Sequence, residues 1–257
     1  MGKIISITNQ KGGVGKTTTT VNLGACLAKN FNKKILLVDL DPQANTTGGL
    51  GVDKNNLENT IYEIFLNNNT VEQTILKYEP IPGLEIIPAG MQLAAAPVEL
   101  VNLENRELRL KNCLQPLKEK YDFILIDSPP SLGLLTINGL SAGDSVLIPV
   151  QCEYFALEGL SQLMHTINLV KGTFNTLLEI EGFVMTMHNS RTKLSSEVIG
   201  EVRGYFNDKV YNAVIPRNVK LSEAPSYGKP IILYDASSRG AKAYQELAKE
   251  FLEKQSK

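Results

Sequence analysis

Cysteine is scarce in this chain of 257 residues, and its three cysteines, Cys26, Cys113 and Cys152, stand far apart. They therefore indicate neither a disulfide framework nor a Cys-x-x-Cys metal site. No apolar run approaches the roughly 20 residues that span a bilayer, so we expect no membrane association. The beginning MGKIISIT lacks a basic-then-apolar leader, which predicts a cytoplasmic protein.

The chain also has no large excess of positive or negative charge; its net charge is −1. This excludes a protein that coats nucleic acid through bulk positive charge. The charge is unevenly distributed, however: residues 191–257 hold 12 Lys and Arg against 8 Asp and Glu, a net of +4. That asymmetry fits ordinary surface scatter as well as it fits a local basic patch.

What is present is a hydrophobic content of 43%, enough to form a large core and to exclude a disordered chain. Short apolar runs alternate with longer helical patterns, and there is no repeat or linker. The alternation predicts an α/β fold with a single doubly wound, mostly parallel sheet, helices on both faces, and one domain over residues 1–257. The predicted strands are Lys3–Thr8, Lys34–Leu40, Leu84–Pro88, Phe123–Asp127, Ser145–Val150, Glu181–Met187 and Val210–Ile215.

Helical patterns connect these strands. The predicted helices are Lys16–Asn30, Val98–Lys120, Leu157–Lys171, Ser196–Phe206 and Gly240–Lys254. Two further helix starts are indicated by capping boxes, Thr60 with Glu63 and Thr70 with Gln73. In a doubly wound sheet, ligands bind at the carboxyl ends of the strands, so the residues that follow each strand are the candidates for function.

The first predicted strand is followed by the loop NQKGGVGKTT and then by a helix. Glycines allow backbone N–H groups to converge on an anion, and the helix presents its positive N-terminus to it. In such loops the lysine, here Lys16, reaches the β- and γ-phosphates, and the following hydroxyl, here Thr17, contacts Mg²⁺. The candidate nucleotide-binding residues of this loop are Lys11, Gly12, Gly13, Val14, Gly15, Lys16, Thr17 and Thr18.

The loop departs from the strict pattern G-x-x-x-x-G-K-[ST], because Gln10 stands where a glycine is required. It also contains a second cation, Lys11. That lysine is either a solvated loop residue or a finger that neutralises the phosphates of a partner's nucleotide.

Three carboxylates follow predicted strands. Asp39 and Asp41 lie at the end of the second strand, where they could hold the water shell of Mg²⁺, orient an attacking water, or simply be solvated. Asp127 ends the buried run FILID and is either a Mg²⁺ ligand or the N-cap of a helix.

Four segments resemble the ParA/Soj partitioning ATPases, a deviant-Walker group that also contains MinD. They are KGGVGKTT, ILLVDLDPQAN, DFILIDSPPSLG and VIPRNVKLSEAPSYGKPI, and the resemblance covers essentially the whole chain. It implies an enzyme that hydrolyses ATP with Mg²⁺ and forms an ATP-dependent sandwich homodimer, in which Lys11 reaches across the interface. It further implies DNA binding without sequence preference, a ParB-type partner, nucleoid association and a role in chromosome or plasmid segregation.

The resemblance also implies roles for single residues. It makes Lys11, Lys16 and Asp41 catalytic, with Asp41 positioning the water, and it places Thr17, Asp39 and Asp127 on the metal side. The segment Pro216-Arg217-Asn218 would contact adenine. Asn189, which also follows a predicted strand, is a weaker candidate on that ground alone. The guanine-reading pattern N/T-K-x-D is absent, which also favours adenine. The DNA-binding candidates are Arg191, Arg217, Lys220 and Arg239, although Arg217 adjoins the adenine segment and all four could be separate solvated charges.

Other functions are less well matched. The first strand starts at residue 3, so we expect no preceding helix-turn-helix, and the segment SPPSLG lacks the cysteine of an iron–sulfur scaffold. A MinD-like membrane switch needs a terminal helix with an apolar and a basic face, whereas here Leu247, Phe251 and Leu252 are interleaved with glutamates and are expected to close the core. A metabolic ligase that uses the same loop, such as a dethiobiotin-synthetase relative, is the third possibility.

Overall fold

The computed structural model describes residues 2–54, 56–66, 70–153 and 156–256. Its centre is one seven-stranded sheet with the order β3-β4-β2-β5-β1-β6-β7. All neighbouring strands are parallel except β3 and β4, so the predicted mostly parallel α/β sheet is confirmed. The strands are β1 (Lys3–Ile7), β2 (Ile35–Asp39), β3 (Leu76–Lys77), β4 (Leu84–Ile87), β5 (Phe123–Asp127), β6 (Ser145–Gln151) and β7 (Glu179–Thr186).

Helices occupy most of the connections between strands. The α-helices are α1 (Lys16–Phe31), α2 (Asn45–Gly49), α3 (Ile61–Phe65), α4 (Val71–Thr74), α5 (Ala96–Glu99), α6 (Arg109–Leu114), α7 (Leu134–Ala142), α8 (Ala156–Thr173), α9 (Lys193–Phe206), α10 (Val219–Glu223), α11 (Ile231–Tyr234) and α12 (Arg239–Gln255). Short 3₁₀ helices cover Met91–Ala95, Arg106–Leu108, Gln115–Glu119, Asn207–Lys209 and Ala224–Tyr227. Within the described ranges, no helix is both long and apolar enough to cross a membrane.

The two faces of the sheet bury different residues, because successive side chains of a strand point to opposite sides. In β1, for example, Ile5 packs in the core that contains α1 and α12, whereas Ile4 packs in the core formed by α3 to α7. Helices therefore cover both faces, as predicted. Leu247 and Phe251 of α12 are fully buried, and Phe251 meets the ring of Phe123 edge-on at 5.0 Å, so the apolar face of α12 closes the core.

The predicted strand Val210–Ile215 is wrong. The amides of Tyr211 and Ile215 donate to carbonyls of β7, but between these two described segments only one isolated bridge forms, from Phe183 to Val210. The reason lies between those two residues. The amide of Ala213, which would face β7 in a regular strand, donates to the Glu250 carboxylate of α12 at 2.9 Å, as does the neighbouring Asn212 amide, also at 2.9 Å. The seventh strand is instead Leu76–Lys77, which pairs antiparallel with β4.

The predicted helix Val98–Lys120 is also wrong, because this segment is broken into short α- and 3₁₀-helical pieces. Asn105 adopts a left-handed conformation with φ 53° just before the 3₁₀ helix Arg106–Leu108, and Pro116 lies in the first turn of the 3₁₀ helix Gln115–Glu119. Helix α7, between Leu134 and Ala142, was not predicted. Both capping boxes are confirmed.

The register of the sheet brings the functional candidates together. Ile7 of β1 and Asp39 of β2 both lie beside Asp127 of β5. The carboxyl ends of these three central strands therefore meet at one edge of the sheet, where the glycine-rich loop begins.

Candidate functional site

The glycine-rich loop connects β1 to α1 in a conformation that its glycines permit. Gly13 and Gly15 have φ values of 73° and 91°, in the left-handed region that side chains disfavour. A Cβ built on Gly12 or Gly13 would meet no described atom within 4 Å, so the space beside these two glycines is open. Gly15 precedes α1 without a side-chain cap, which leaves the first amides of that helix available to an anion.

Asn9 fixes the base of this loop. Its Nδ2 donates to the Pro149 carbonyl at 2.8 Å, and its Oδ1 accepts from the Lys11 amide at 3.0 Å. Because Asn9 is buried, these bonds tie the loop to the end of β6.

Lys16 begins α1 with its side chain buried, and its Nζ donates to the Lys11 carbonyl at 3.2 Å. Burial lowers the pKa of Lys16, while the Asp127 and Asp41 carboxylates act in the opposite direction. Among the described residues no carboxylate lies at ion-pair distance from this ammonium. A buried cation without a direct counter-charge is well suited to an anionic ligand.

The Thr17 hydroxyl donates to Asp127 Oδ2 at 2.7 Å, and the Thr46 hydroxyl donates to the same oxygen at 2.7 Å. Asp127 is buried, and its Oδ1 has no hydrogen-bond partner among the described residues. Burial and then the Asp39 carboxylate raise the pKa of Asp127, and a nearby cation would favour its ionised form. The unpartnered carboxylate oxygen beside a threonine hydroxyl fits the oxygen ligands and water shell of Mg²⁺.

Asp39 is held differently. Its Oδ2 accepts from the amide of Thr47 at 2.8 Å and from the hydroxyl of Thr47 at 2.7 Å, and its Oδ1 accepts from the Asp41 amide at 3.2 Å. Burial raises the pKa of Asp39. Asp41 Oδ1 accepts from the Gln43 amide at 2.9 Å, and Asp41 is slightly more accessible to solvent than Asp39.

Thr46 and Thr47 were not among the residues predicted from the sequence. The only signal for them in the sequence was a pair of hydroxyl side chains just after DPQAN.

Lys11 and Arg217 meet the same carboxylate. Lys11 Nζ and an Arg217 guanidinium nitrogen each lie 3.4 Å from an oxygen of Glu153, in the loop after β6. These groups are partly exposed, so each ion pair contributes only about 0–1 kcal/mol. Lys11 can therefore leave Glu153 at little cost when a stronger anion is offered. Glu153 was not among the sequence candidates.

A cavity of about 430 Å³ opens beside Gly15 and Thr18 and is also lined by Thr186, Pro216 and Asn218. Asn218 is one of the residues that line this cavity, and its Oδ1 is buried without a hydrogen-bond partner in the described part of the chain. The residues predicted to contact the base thus lie next to the phosphate loop.

The weaker base candidate, Asn189, is occupied in its own turn. Its Oδ1 accepts from the Arg191 amide at 3.1 Å.

The basic candidates are all exposed. The turn with Arg191 lies beside the Arg217 segment, because the His188 amide donates to Ile215 and the Arg217 amide donates to His188, both at 3.0 Å. Lys220 Nζ donates to Glu223 at 2.9 Å, and Arg239 begins α12. The fold thus brings the Arg191 and Arg217 segments side by side, and Arg217 and Lys220 each already have a carboxylate partner, Glu153 and Glu223 respectively.

This parallel sheet, with a glycine-rich loop, a lysine and threonine at the head of α1 and acids ending β2 and β5, defines a P-loop nucleotide hydrolase. A family model described as "AAA domain" matches residues 2–180. The sporulation initiation inhibitor protein Soj of Bacillus subtilis is 61% identical over 250 residues, covering 97% of this chain and 98% of that protein. The chromosome partitioning protein ParA of Myxococcus xanthus is 53% identical, covering 99% of this chain and 89% of its own length.

Among solved structures, cobyrinic acid a,c-diamide synthase of Mycobacterium smegmatis, with a bound ATP analogue and magnesium, matches with a TM-score of 0.86 and 34% identity. The match covers 100% of this chain and 96% of that one. The chain belongs to the ParA/Soj family of chromosome-partitioning ATPases.

Proposed function

We propose that this ATPase cycles between a monomer and an ATP-bound dimer, and that the dimer binds DNA without sequence preference in chromosome or plasmid segregation. The observation that supports the nucleotide part most directly is the unpartnered Asp127 oxygen beside Thr17, next to the buried Lys16 ammonium. In a nucleoside triphosphate with bound Mg²⁺, the phosphates supply the negative charge that Lys16 lacks as a partner. The Mg²⁺ supplies the positive charge that Asp127 lacks.

In this proposal each group acts on a different part of the nucleotide. The loop amides and Lys16 bind the β- and γ-phosphates, and Thr17 and Asp127 hold Mg²⁺, with Asp39 as a supporting acid on the metal side. When bound, Mg²⁺ neutralises charge that develops on the phosphates. Asp41 orients the water for attack.

The base lies in the cavity beside Gly15 in this scheme. The unpartnered Asn218 oxygen can accept a hydrogen bond from the adenine amino group, and Pro216 lines the same cavity. Asn189 contributes less, because its side chain already bonds within its own turn.

Dimerisation uses Lys11. Its pair with Glu153 is long and partly exposed, so transfer of the ammonium to the phosphates of a partner's nucleotide costs little. A charge-assisted contact in the closed, water-poor interface is stronger than the pair that is lost.

The dimer makes DNA binding dependent on ATP. A protomer that neutralises three or four phosphates binds weakly at physiological salt, whereas two protomers on one surface about double the contacts. Arg191 and Arg217 come from neighbouring segments, with Lys220 and Arg239 as further candidates. DNA binding in turn implies nucleoid association, and a ParB-type partner would stimulate hydrolysis and release the dimer.

The deciding experiment is co-sedimentation with random-sequence duplex DNA or with anionic lipid vesicles, each with ATP, with ADP and without nucleotide. We expect binding to DNA with ATP only. Binding to vesicles instead would favour a MinD-like membrane switch. ATP turnover that requires a small acid or amine co-substrate would favour a metabolic ligase.

Replacing Arg191 should weaken binding to DNA of any sequence. For Arg191→Ala we expect the slope of log affinity against log salt to fall by about one per protomer, while ATP-driven dimerisation persists. Gel-shift titrations on two unrelated duplexes at several salt concentrations, with size-exclusion chromatography in parallel, measure both quantities.

Lys171→Ala is the matched control, because it removes one exposed positive charge from the last turn of α8, and it should keep the wild-type slope. If Arg191→Ala dimerises and keeps that slope as well, Arg191 does not contact DNA.

A further inference from the structure

We infer that Thr186, the last residue of β7, is a positioning residue that holds the phosphate loop in its nucleotide-binding conformation. The inference rests on the proposed nucleotide site but assigns it a residue from the far edge of the sheet. Thr186 follows Gly15 by 171 positions in the sequence and belongs to no phosphate-loop motif.

The contact is direct. The Thr186 hydroxyl donates to the Val14 carbonyl at 2.8 Å, and Thr186 is buried. Its methyl carbon lies 3.8 Å from the position that a Cβ on Gly15 would occupy. The threonine therefore covers one side of the peptide between Val14 and Gly15.

The backbone that presents this hydroxyl is itself fixed. Thr186 lies beside Gln151 in the parallel register of β6 and β7, and its carbonyl accepts from the Cys152 amide at 3.1 Å. The pairing with β6 thus holds the backbone of Thr186 in the sheet.

The physical consequence follows from the planarity of the peptide. In a trans peptide the carbonyl and the next amide point in opposite directions. Holding the Val14 carbonyl towards β7 directs the Gly15 amide away from β7. It also keeps the partially negative Val14 carbonyl oxygen turned away from the anion site, so that the loop presents backbone N–H groups to the anion. A loop ordered in advance loses less entropy when the phosphates bind.

Thr186 also lines the cavity beside Gly15, together with Met187, which has a left-handed φ of 52°. The same residue therefore links the phosphate loop to the start of the segment that surrounds the base. We expect its loss to affect nucleotide affinity more than the chemical step, because it contacts neither Lys16 nor Asp41.

The experiment compares three variants in steady-state ATP hydrolysis and in titrations with ADP. Thr186→Val keeps the shape but removes the hydroxyl, and Thr186→Ser keeps the hydroxyl. Thr74→Val is the matched control, because Thr74 is also buried and donates to a carbonyl, that of Thr70, in α4 near the opposite edge of the sheet.

For Thr186→Val we expect KM for ATP and Kd for ADP to rise about tenfold, the factor that corresponds to one lost hydrogen bond, with kcat within about twofold of wild type. Thr186→Ser should restore both constants to within about threefold, and Thr74→Val should leave them unchanged. Melting temperatures without nucleotide report any general loss of stability.

Wild-type KM and Kd in Thr186→Val would overturn the inference, even if its melting temperature fell, since the role would then be structural only. An equal rise in Thr74→Val or no rescue in Thr186→Ser would overturn it too. Failure of the proposed nucleotide site looks different, because the wild-type protein itself would then show neither binding nor hydrolysis of ATP, whereas failure of the proposed DNA binding would leave these constants unchanged.

Discussion

Lys16→Ala is expected to bind ATP at least about a hundredfold more weakly than the wild-type protein. The ammonium is buried and has no described carboxylate at ion-pair distance, so its main favourable partners are the phosphates. Charge-assisted hydrogen bonds are worth about 1.5–3 kcal/mol each, and losing contacts to two phosphates accounts for that factor. Isothermal titration with ATP and Mg²⁺ measures the change.

The same variant should keep its stability without nucleotide. Burial already disfavours the charged form of Lys16, so removing the ammonium leaves the melting temperature of the nucleotide-free protein unchanged or higher. The rise in melting temperature that ATP produces should disappear. Lys29→Ala, in the last turn of the same helix, is the control and should bind ATP normally. An unchanged Kd in Lys16→Ala would refute the assignment.

Asp41→Ala is expected to bind ATP but to hydrolyse it at least about a hundredfold more slowly, the usual range for removing a group that positions or activates a water. The phosphate contacts of the loop and of Lys16 remain, so affinity should change by no more than a few fold. Because ATP is not consumed, the protein should accumulate as a dimer. Single-turnover hydrolysis and size-exclusion chromatography with ATP and Mg²⁺ test both points.

Lys11→Ala provides the contrast. It loses the cross-subunit cation, so it should remain monomeric with ATP while still binding the nucleotide through its own loop. The double variant Asp41→Ala, Lys11→Ala should be monomeric as well, because slow hydrolysis cannot stabilise an interface that lacks its central contact. Lys171→Ala, which removes an exposed positive charge at the end of α8, is the control for charge removal. A monomeric Asp41→Ala protein or a normally dimerising Lys11→Ala protein would contradict the scheme.

Some elements of this protein could be predicted well because their signals are local. The phosphate loop runs from Asn9 to Thr18, and its glycines, lysines and threonines are neighbours in the chain, so their arrangement depends mostly on a single strand-loop-helix unit. The capping boxes at Thr60 and Thr70 are equally local and form as expected.

Other elements failed because distant side chains changed a local preference. The apolar run from Val210 to Ile215 reads as a strand, yet Glu250 of α12 takes the amide of Ala213, which alternates with those of Tyr211 and Ile215, away from the sheet. Nothing within the run itself indicates that a carboxylate more than 30 residues later will compete for its hydrogen bonds.

By itself, the sequence determined the α/β class, the phosphate loop and the acids that end β2 and β5, since each depends on strand periodicity and on residues adjacent in the chain. Only the tertiary structure decided which groups surround them: Thr46 on Asp127, Glu153 beside Lys11, and Thr186 on the Val14 carbonyl. These contacts join segments that are 81 to 172 residues apart. Their partners are chosen by sheet order and register, which arise from packing across the whole core and leave no local pattern.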